Sequence, residues 1–199
     1  MIYMNLQRLR ILITLAAFVA VCFPPTEAHG DNDMIWARLK SEDSKERDNA
    51  AALLLQERAA SVKELEAIVR GYMRDGQRKG TVKTAIDLLG EFRSAYSVPL
   101  LVDTLTFGVF YKETKKPQPP EDFFPSVGAL IKIGMPSIEP VLEKAKKADD
   151  EQVSRNAALV LKGVLGSTLG RKKLELDLAK ESDQVKKQKL SRLLELIPQ

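Results

Sequence analysis

Residues 155–162 read RNAALVLK, and four other stretches of the chain align with them. These are RDNAAALL at 47–54, VKTAIDLL at 82–89, FFPSVGAL at 123–130 and KQKLSRLL at 187–194. The aligned centres are Ala50, Ala85, Ser126, Ala158 and Leu190, separated by steps of 35, 41, 32 and 32 residues. A period in the thirties is typical of arrays of stacked helix pairs. The sequence therefore predicts an all-α superhelix, a solenoid of about four and a half helix-pair repeats.

Residues 1–28 have the layout of a secretory signal peptide. Arg8 and Arg10 precede an apolar run of 13 residues, Ile11 to Phe23, and small residues follow at Thr26 and Ala28. We expect cleavage after Ala28 and export to the periplasm or the medium, with an uncleaved anchor as the alternative. The run is shorter than the roughly 20 residues of a comfortable membrane span, so no span is expected after cleavage.

The charge of the chain argues against a nucleic-acid partner. The whole chain has 31 basic and 27 acidic residues. Removal of residues 1–28 takes away Arg8, Arg10 and Glu27, which leaves 29 basic and 26 acidic residues and a net charge of +3. Both signs are interspersed, whereas a nucleic-acid footprint would show a concentrated basic face.

The usual catalytic side chains are scarce. The one cysteine, Cys22, lies in the predicted signal peptide, and the one histidine, His29, would be the new N-terminus. Val21 stands where a lipid-attachment motif normally has a small residue, which disfavours a lipid anchor at Cys22. The predicted mature chain therefore has no thiol nucleophile and no histidine placed within a fold for acid–base catalysis. We expect no catalytic, metal or cofactor site, and an enzyme based on carboxylates remains the alternative.

Local signals divide the remaining chain. Residues 29–43 are predicted to be a lead-in that covers the open end of the array, and residues 44–199 its repeats. Ser61 and Glu64 form a capping-box pattern, which predicts a helix start at Ser61. Gly134 is predicted to end one helix, and either Gly166 or Gly170 to make a later turn.

An insertion at 106–122 interrupts the repeats. Between residues 107 and 124 lie five of the nine aromatic residues that follow residue 28. The segment combines aromatic, proline and lysine residues, which would suit recognition of a membrane, a glycan or a protein. Its candidate contact residues are Phe107, Phe110, Tyr111, Lys112, Lys115 and Lys116. The alternative is that the aromatic rings pack over neighbouring helices.

The stretch 155–166 resembles the core of a HEAT repeat, R-x-x-A-x-x-A-L-G-x-I-G, in the short form of the phycobilisome-lyase type. Parts of the same motif recur at 88–92 and 129–136, and the resemblance covers residues 44–197. It implies stacked antiparallel helix pairs of the armadillo-type superfamily. It also implies that Arg47, Arg155 and Lys187 pair with acidic residues at repeat junctions, for which Asp43, Asp150 and Asp183 are candidates. Val82 and Phe123 depart from the basic first position.

A solenoid exposes a concave surface formed by the second helix of each pair. Here that surface would include Asp103, Glu143, Lys144 and Lys147. Because the repeat is structural and function resides in the residues that it displays, we expect an exported scaffold that binds another protein.

Overall fold

The computed structural model describes residues 29–55, 58–75, 78–109 and 123–198. These residues form helices and connecting turns and contain no strand, which confirms the all-α prediction. The chain divides into two units between Ala37 and Arg38. The predicted signal peptide at 1–28, Cys22 included, lies outside the described residues.

Nine α-helices are described, most of them short. They are α1 (His29–Leu39), α2 (Ser44–Leu54), α3 (Arg58–Asp75), α4 (Lys79–Glu91), α5 (Val98–Asp103), α6 (Pro125–Ile133), α7 (Ile138–Lys147), α8 (Glu151–Lys180) and α9 (Gln184–Leu196). Single 3₁₀ turns, Ala95–Ser97 and Met135–Ser137, lead into α5 and α7. The capping role predicted for residues 29–43 stays a prediction.

The centres of the five aligned stretches are all buried. Each lies in a different helix, respectively α2, α4, α6, α8 and α9, and each is at most 4% exposed. The large side chains around them are fully buried too, among them Leu54, Leu89, Leu130, Leu161 and Leu193. Burial of one such leucine contributes roughly 1.5–3 kcal/mol. The positions that the alignment of the five stretches makes equivalent are therefore all positions in the core.

The element α8 consists of two helical segments, 151–165 and 167–180. Gly166 separates them with φ 75° and ψ 168°, a conformation that is open to glycine and strained for other residues. A methyl group placed on Gly170 would lie 3.6 Å from the carbonyl oxygen of Leu161, although a continuous helix would separate these residues by about 13 Å. The chain therefore turns back at Gly166, one of the two positions predicted. Gly134 ends α6 as predicted, with φ 84°.

Aspartates cap three of the helices that carry the buried centres. The side chain of Asp43 accepts a hydrogen bond from Lys45 N, that of Asp150 from Gln152 N, and that of Asp183 from Val185 N and Lys186 N. An aspartate at this position satisfies backbone donors that the helix itself leaves open.

Among the described residues these aspartates form no ion pair with Arg47, Arg155 or Lys187, so the choice of aspartates as partners is wrong. Arg47 donates instead to the carbonyl oxygens of Ser41 and Glu42, at 2.8 and 2.7 Å. Arg155 does pair with an acidic residue at the start of α8, Glu151, at 2.7 Å. The aspartate carboxylates are taken by backbone N–H groups that lie closer along the chain.

The predicted helix start at Ser61 is also wrong. Helix α3 begins at Arg58, and Ser61 is a buried residue within it. A capping box needs a non-helical backbone at the serine, whereas Ala59 and Ala60 have the highest helix propensity and continue the helix through it.

Helices α4 and α6 and segment 151–165, the first helices of three successive predicted pairs, approach each other closely and point the same way. A methyl group on Gly90 of α4 would lie 2.6 Å from Ala129 Cα of α6, and one on Gly163 of α8 would lie 2.6 Å from Ile131 Cδ1 of α6. Glu91, the last residue of α4, pairs at 2.6 Å with Lys132, near the end of α6. The C-terminal ends of α4, α6 and segment 151–165 therefore lie side by side.

This close approach predicts a graded response to alanine. Gly90→Ala would push Cβ into the backbone of α6 and should reduce the free energy of unfolding by about 1–3 kcal/mol. Gly163→Ala meets only a side chain and should cost less. Gly71→Ala in α3 has nothing within 4 Å and should stabilise by up to about 1 kcal/mol, because alanine favours a helix over glycine. Urea denaturation of the three variants measures the order, and a Gly90 variant as stable as the Gly71 variant would contradict this packing.

Candidate partner-binding surface

The structure pairs two of the predicted partner-binding residues with each other. Asp103, at the end of α5, accepts a 3.1 Å hydrogen bond and ion pair from Lys144 of α7. Both side chains remain accessible. Glu143 accepts from Lys146 at 2.8 Å and lies 3.9 Å from Lys147. The four predicted residues therefore occupy two neighbouring second helices and belong to local charge pairs.

Polar contacts continue to both sides of this pair. Lys173, in segment 167–180, lies 2.6 Å from Glu139 of α7 and 2.9 Å from Asp177. On the other side, Ser97 donates to Glu66 of α3 at 2.7 Å. None of these residues was predicted from the sequence. The pair Lys173–Asp177 could have been predicted from its i,i+4 spacing on one helix. The contacts between different helices could not, because no spacing within one helix indicates them.

We call the set Glu66–Ser97, Asp103–Lys144 and Glu139–Lys173 the polar ladder. Its three contacts join α3 to the turn before α5, α5 to α7, and α7 to segment 167–180. Each second helix is thus linked to the next by a hydrogen bond or an ion pair. Exposed ion pairs contribute little stability individually, so the main effect of the ladder is to fix which side chains stand next to each other.

Hydrogen bonding shifts the titration of Glu143 and Lys146. The hydrogen bond from Lys146 lowers the pKa of Glu143 below its ordinary value of 4.5. The same bond raises the pKa of Lys146 above 10.5, and the nearby carboxylates of Asp177 and Glu181 add to the rise. Burial lowers the pKa of Lys173, but its hydrogen bonds to Glu139 and Asp177 outweigh this and leave a net rise. Glu143, Lys146 and Lys173 are therefore charged near neutral pH.

Three contacts between helices join residues whose separation equals a step between the aligned centres. Glu91 and Lys132 are 41 residues apart, as are Asp103 and Lys144, and 41 is also the step between the centres Ala85 and Ser126. Gly163 approaches Ile131, and their separation of 32 is the step between Ser126 and Ala158. Other contacts depart from these steps, since Gly90 and Ala129 are 39 residues apart and Glu139 and Lys173 are 34.

Of the predicted aromatic and lysine residues in the insertion, only Phe107 lies within the described part. Its ring is half-buried and meets Tyr72 of α3 edge-on, with ring centroids 4.7 Å apart and an interplanar angle of 65°. This favours a packing role for Phe107. Phe110, Tyr111, Lys112, Lys115 and Lys116 lie outside the described residues, and their contact role stays a prediction.

Hydrogen bonds hold the two ends of the insertion together. Val109 N donates to Phe123 O at 2.9 Å, and the hydroxyls of Thr104 and Ser126 are 2.8 Å apart. The fully buried Asn156 donates to Leu105 O at 2.7 Å. The insertion therefore leaves and re-enters the helical core at one fixed place.

A shallow polar groove of about 590 Å³ lies between the end of α8 and α9. It is lined by Leu178, Gln184, Lys187, Gln188, Ser191, Arg192 and Glu195. Arg192 reaches out of it to Glu151, at 3.1 Å.

Nothing in the described ranges resembles a metal centre, since no three His, Cys, Asp or Glu residues converge there. As far as residues 29–198 are described, no helix combines the length and the apolar character needed to cross a membrane. Comparisons with protein families, with curated proteins and with solved structures find no match to this chain.

One prediction from this surface concerns the residues that anchor the two ends of the insertion. Asn156→Ala removes the donor to the buried carbonyl of Leu105 and should lower the free energy of unfolding by about 1–3 kcal/mol. Asn49→Ala is the matched control, because Asn49 is exposed on α2 and its replacement should change stability by less than about 1 kcal/mol. Equal melting temperatures for the two variants would show that this hydrogen bond stabilises nothing.

Another prediction concerns how the contribution of Glu143 to the free energy of unfolding depends on pH. The pKa of Glu143 is lower in the folded state, so the charged carboxylate stabilises the fold at pH values above its ordinary pKa of 4.5. This stabilisation is lost as the pH falls through the folded pKa. Glu143→Gln should destabilise the fold at neutral pH by less than about 1 kcal/mol, because the Glu143 side chain is about half exposed and solvent screens its charge. Below the folded pKa the variant and the parent should be equally stable in urea denaturation. Glu64→Gln, an exposed glutamate of α3, is the control. A Glu143 effect that persists undiminished in acid would contradict this account.

Proposed function

We propose that this chain is an exported HEAT-type scaffold that binds another protein through its second helices. The observation that carries the proposal is the contact between residues one repeat step apart, Glu91 with Lys132, Asp103 with Lys144 and Ile131 with Gly163. Helix pairs that meet through equivalent positions stack by one repeated operation, and such stacking generates a solenoid. Export rests on the signal-peptide pattern of residues 1–28.

The second helices offer the chemistry for recognition. Asp103, Glu143 and Lys147 are exposed and present charges of both signs on α5 and α7. The polar ladder holds Asp103 against Lys144, and Lys146 holds Glu143, so a partner that matches these charges would bind without reorganising those side chains. Complementary charge also selects among partners more than it adds affinity.

A site-specific photo-crosslinking experiment tests this proposal. A photoreactive amino acid replaces Asp103 or Lys147 on the second helices, or Asp48 on the exposed side of α2 as the control, in the cells that make the protein. We expect a discrete crosslinked protein from positions 103 and 147 and none from position 48. The proposal fails if position 48 crosslinks equally well, or if neither second-helix position gives a product.

A further inference from the structure

Three large apolar side chains stand exposed shortly after the ends of α4, α6 and segment 151–165. Tyr96 and Met135 lie in 3₁₀ turns, whereas Leu169 lies in the first turn of segment 167–180. Tyr96 is 94% exposed, Met135 65% and Leu169 63%. Tyr96 follows α4, Met135 follows α6, and Leu169 follows segment 151–165. The C-terminal ends of these three helices lie side by side, so the three turns leave from one edge of the second unit. We call Tyr96, Met135 and Leu169 the apolar edge.

The charge around the apolar edge is positive. The three turn segments, 91–99, 132–140 and 162–173, contain six basic residues and two acidic ones, a net charge of +4. Ion pairs at 2.6 Å join Glu91 to Lys132 and Glu139 to Lys173. Just beyond the third segment, Glu175 and Asp177 pair with Lys172 and Lys173. Arg93 and Lys162 are exposed on the same segments. The edge thus combines protruding apolar tips with two exposed cations, Arg93 and Lys162.

We propose that the apolar edge docks on the surface of an anionic lipid bilayer. Binding at a membrane interface is strengthened by apolar side chains that enter the headgroup region and by cations that attract anionic lipids, and the edge supplies both. Tyr96 suits this boundary, since a tyrosine ring has an apolar body and a polar tip. The proposal goes beyond the scaffold function, because it concerns Tyr96, Met135 and Leu169 and not the exposed charges of α5 and α7.

Two other occupants fit the edge less well. A second copy would bring two edges of the same sign together, which repel. A folded protein partner would bury a contiguous patch, whereas these side chains are single tips on separate turns. A bilayer surface accepts separate tips because its lipids rearrange around each of them.

Fluorescence quenching tests the proposal on the full chain. In a Cys22→Ser background, Tyr96→Cys, Met135→Cys or Leu169→Cys carries an environment-sensitive fluorophore. Leu176→Cys and Val185→Cys are the controls, because both residues are exposed and apolar but lie away from these turns. Vesicles of phosphatidylcholine, with or without phosphatidylglycerol, carry a quencher on the acyl chain. Attachment through residues 1–28 would affect all five chains alike, so the comparison between positions isolates the edge.

We expect at least about a twofold loss of fluorescence at positions 96, 135 and 169 on anionic vesicles, and little at 176 and 185. Equal quenching at all five positions, or none at the edge, would overturn the proposal, as would undiminished quenching on neutral vesicles. An emission shift without vesicles that grows with protein concentration would identify a second copy instead. The same shift in a membrane-free extract of the native cells would identify a protein partner. The crosslinking at positions 103 and 147 reports on a different surface, so failure of one test leaves the other standing.

Discussion

The fold depends on how closely its first helices approach each other. At Gly90 there is no room for even one methyl group between α4 and the backbone of α6, and at Gly163 the space is taken by Ile131. A contact this short admits one relative position of the two helices, because sliding either of them would drive side chains into backbone. The parallel alignment of the helix ends follows from this contact, and so does the pairing of Glu91 with Lys132.

The same constraint gives the second unit surfaces of different character. Along the second helices, charged groups are matched from one helix to the next, and the polar ladder holds them in place. Shortly after the ends of α4, α6 and segment 151–165, Tyr96, Met135 and Leu169 have no such match and face solvent. A surface whose charges are ordered suits a specific protein partner, whereas a line of apolar tips among cations suits a lipid surface. The two proposals therefore assign different tasks to different sides of one set of helices.

Much of this architecture could be predicted from sequence, because a small or apolar residue that recurs among apolar neighbours reports burial directly. The buried centres, the helix end at Gly134 and the turn at Gly166 followed from that pattern and from glycine. The roles of Asp43 and Asp150 did not, since an aspartate before a helix suits a cap and an ion pair equally well in sequence. Of the ladder's contacts, the step of 41 applied to charged residues would have found only Asp103 with Lys144, because the separations of the other two match no step. The apolar edge had no signal, because isolated apolar residues in turns reveal nothing about which turns share an edge.

Zero-length crosslinking with a carbodiimide tests the central claim, the stacking of helix pairs through equivalent positions, most directly. The reagent joins a carboxylate to an amine only where the two groups touch, and it needs no substitution in the chain. Stacking through these positions predicts amide links between Glu91 and Lys132 and between Asp103 and Lys144. Mass spectrometry of the digested protein would identify both links. Links from Glu91 to Lys144, or from Asp103 to Lys132, would place the helices in another register and contradict it.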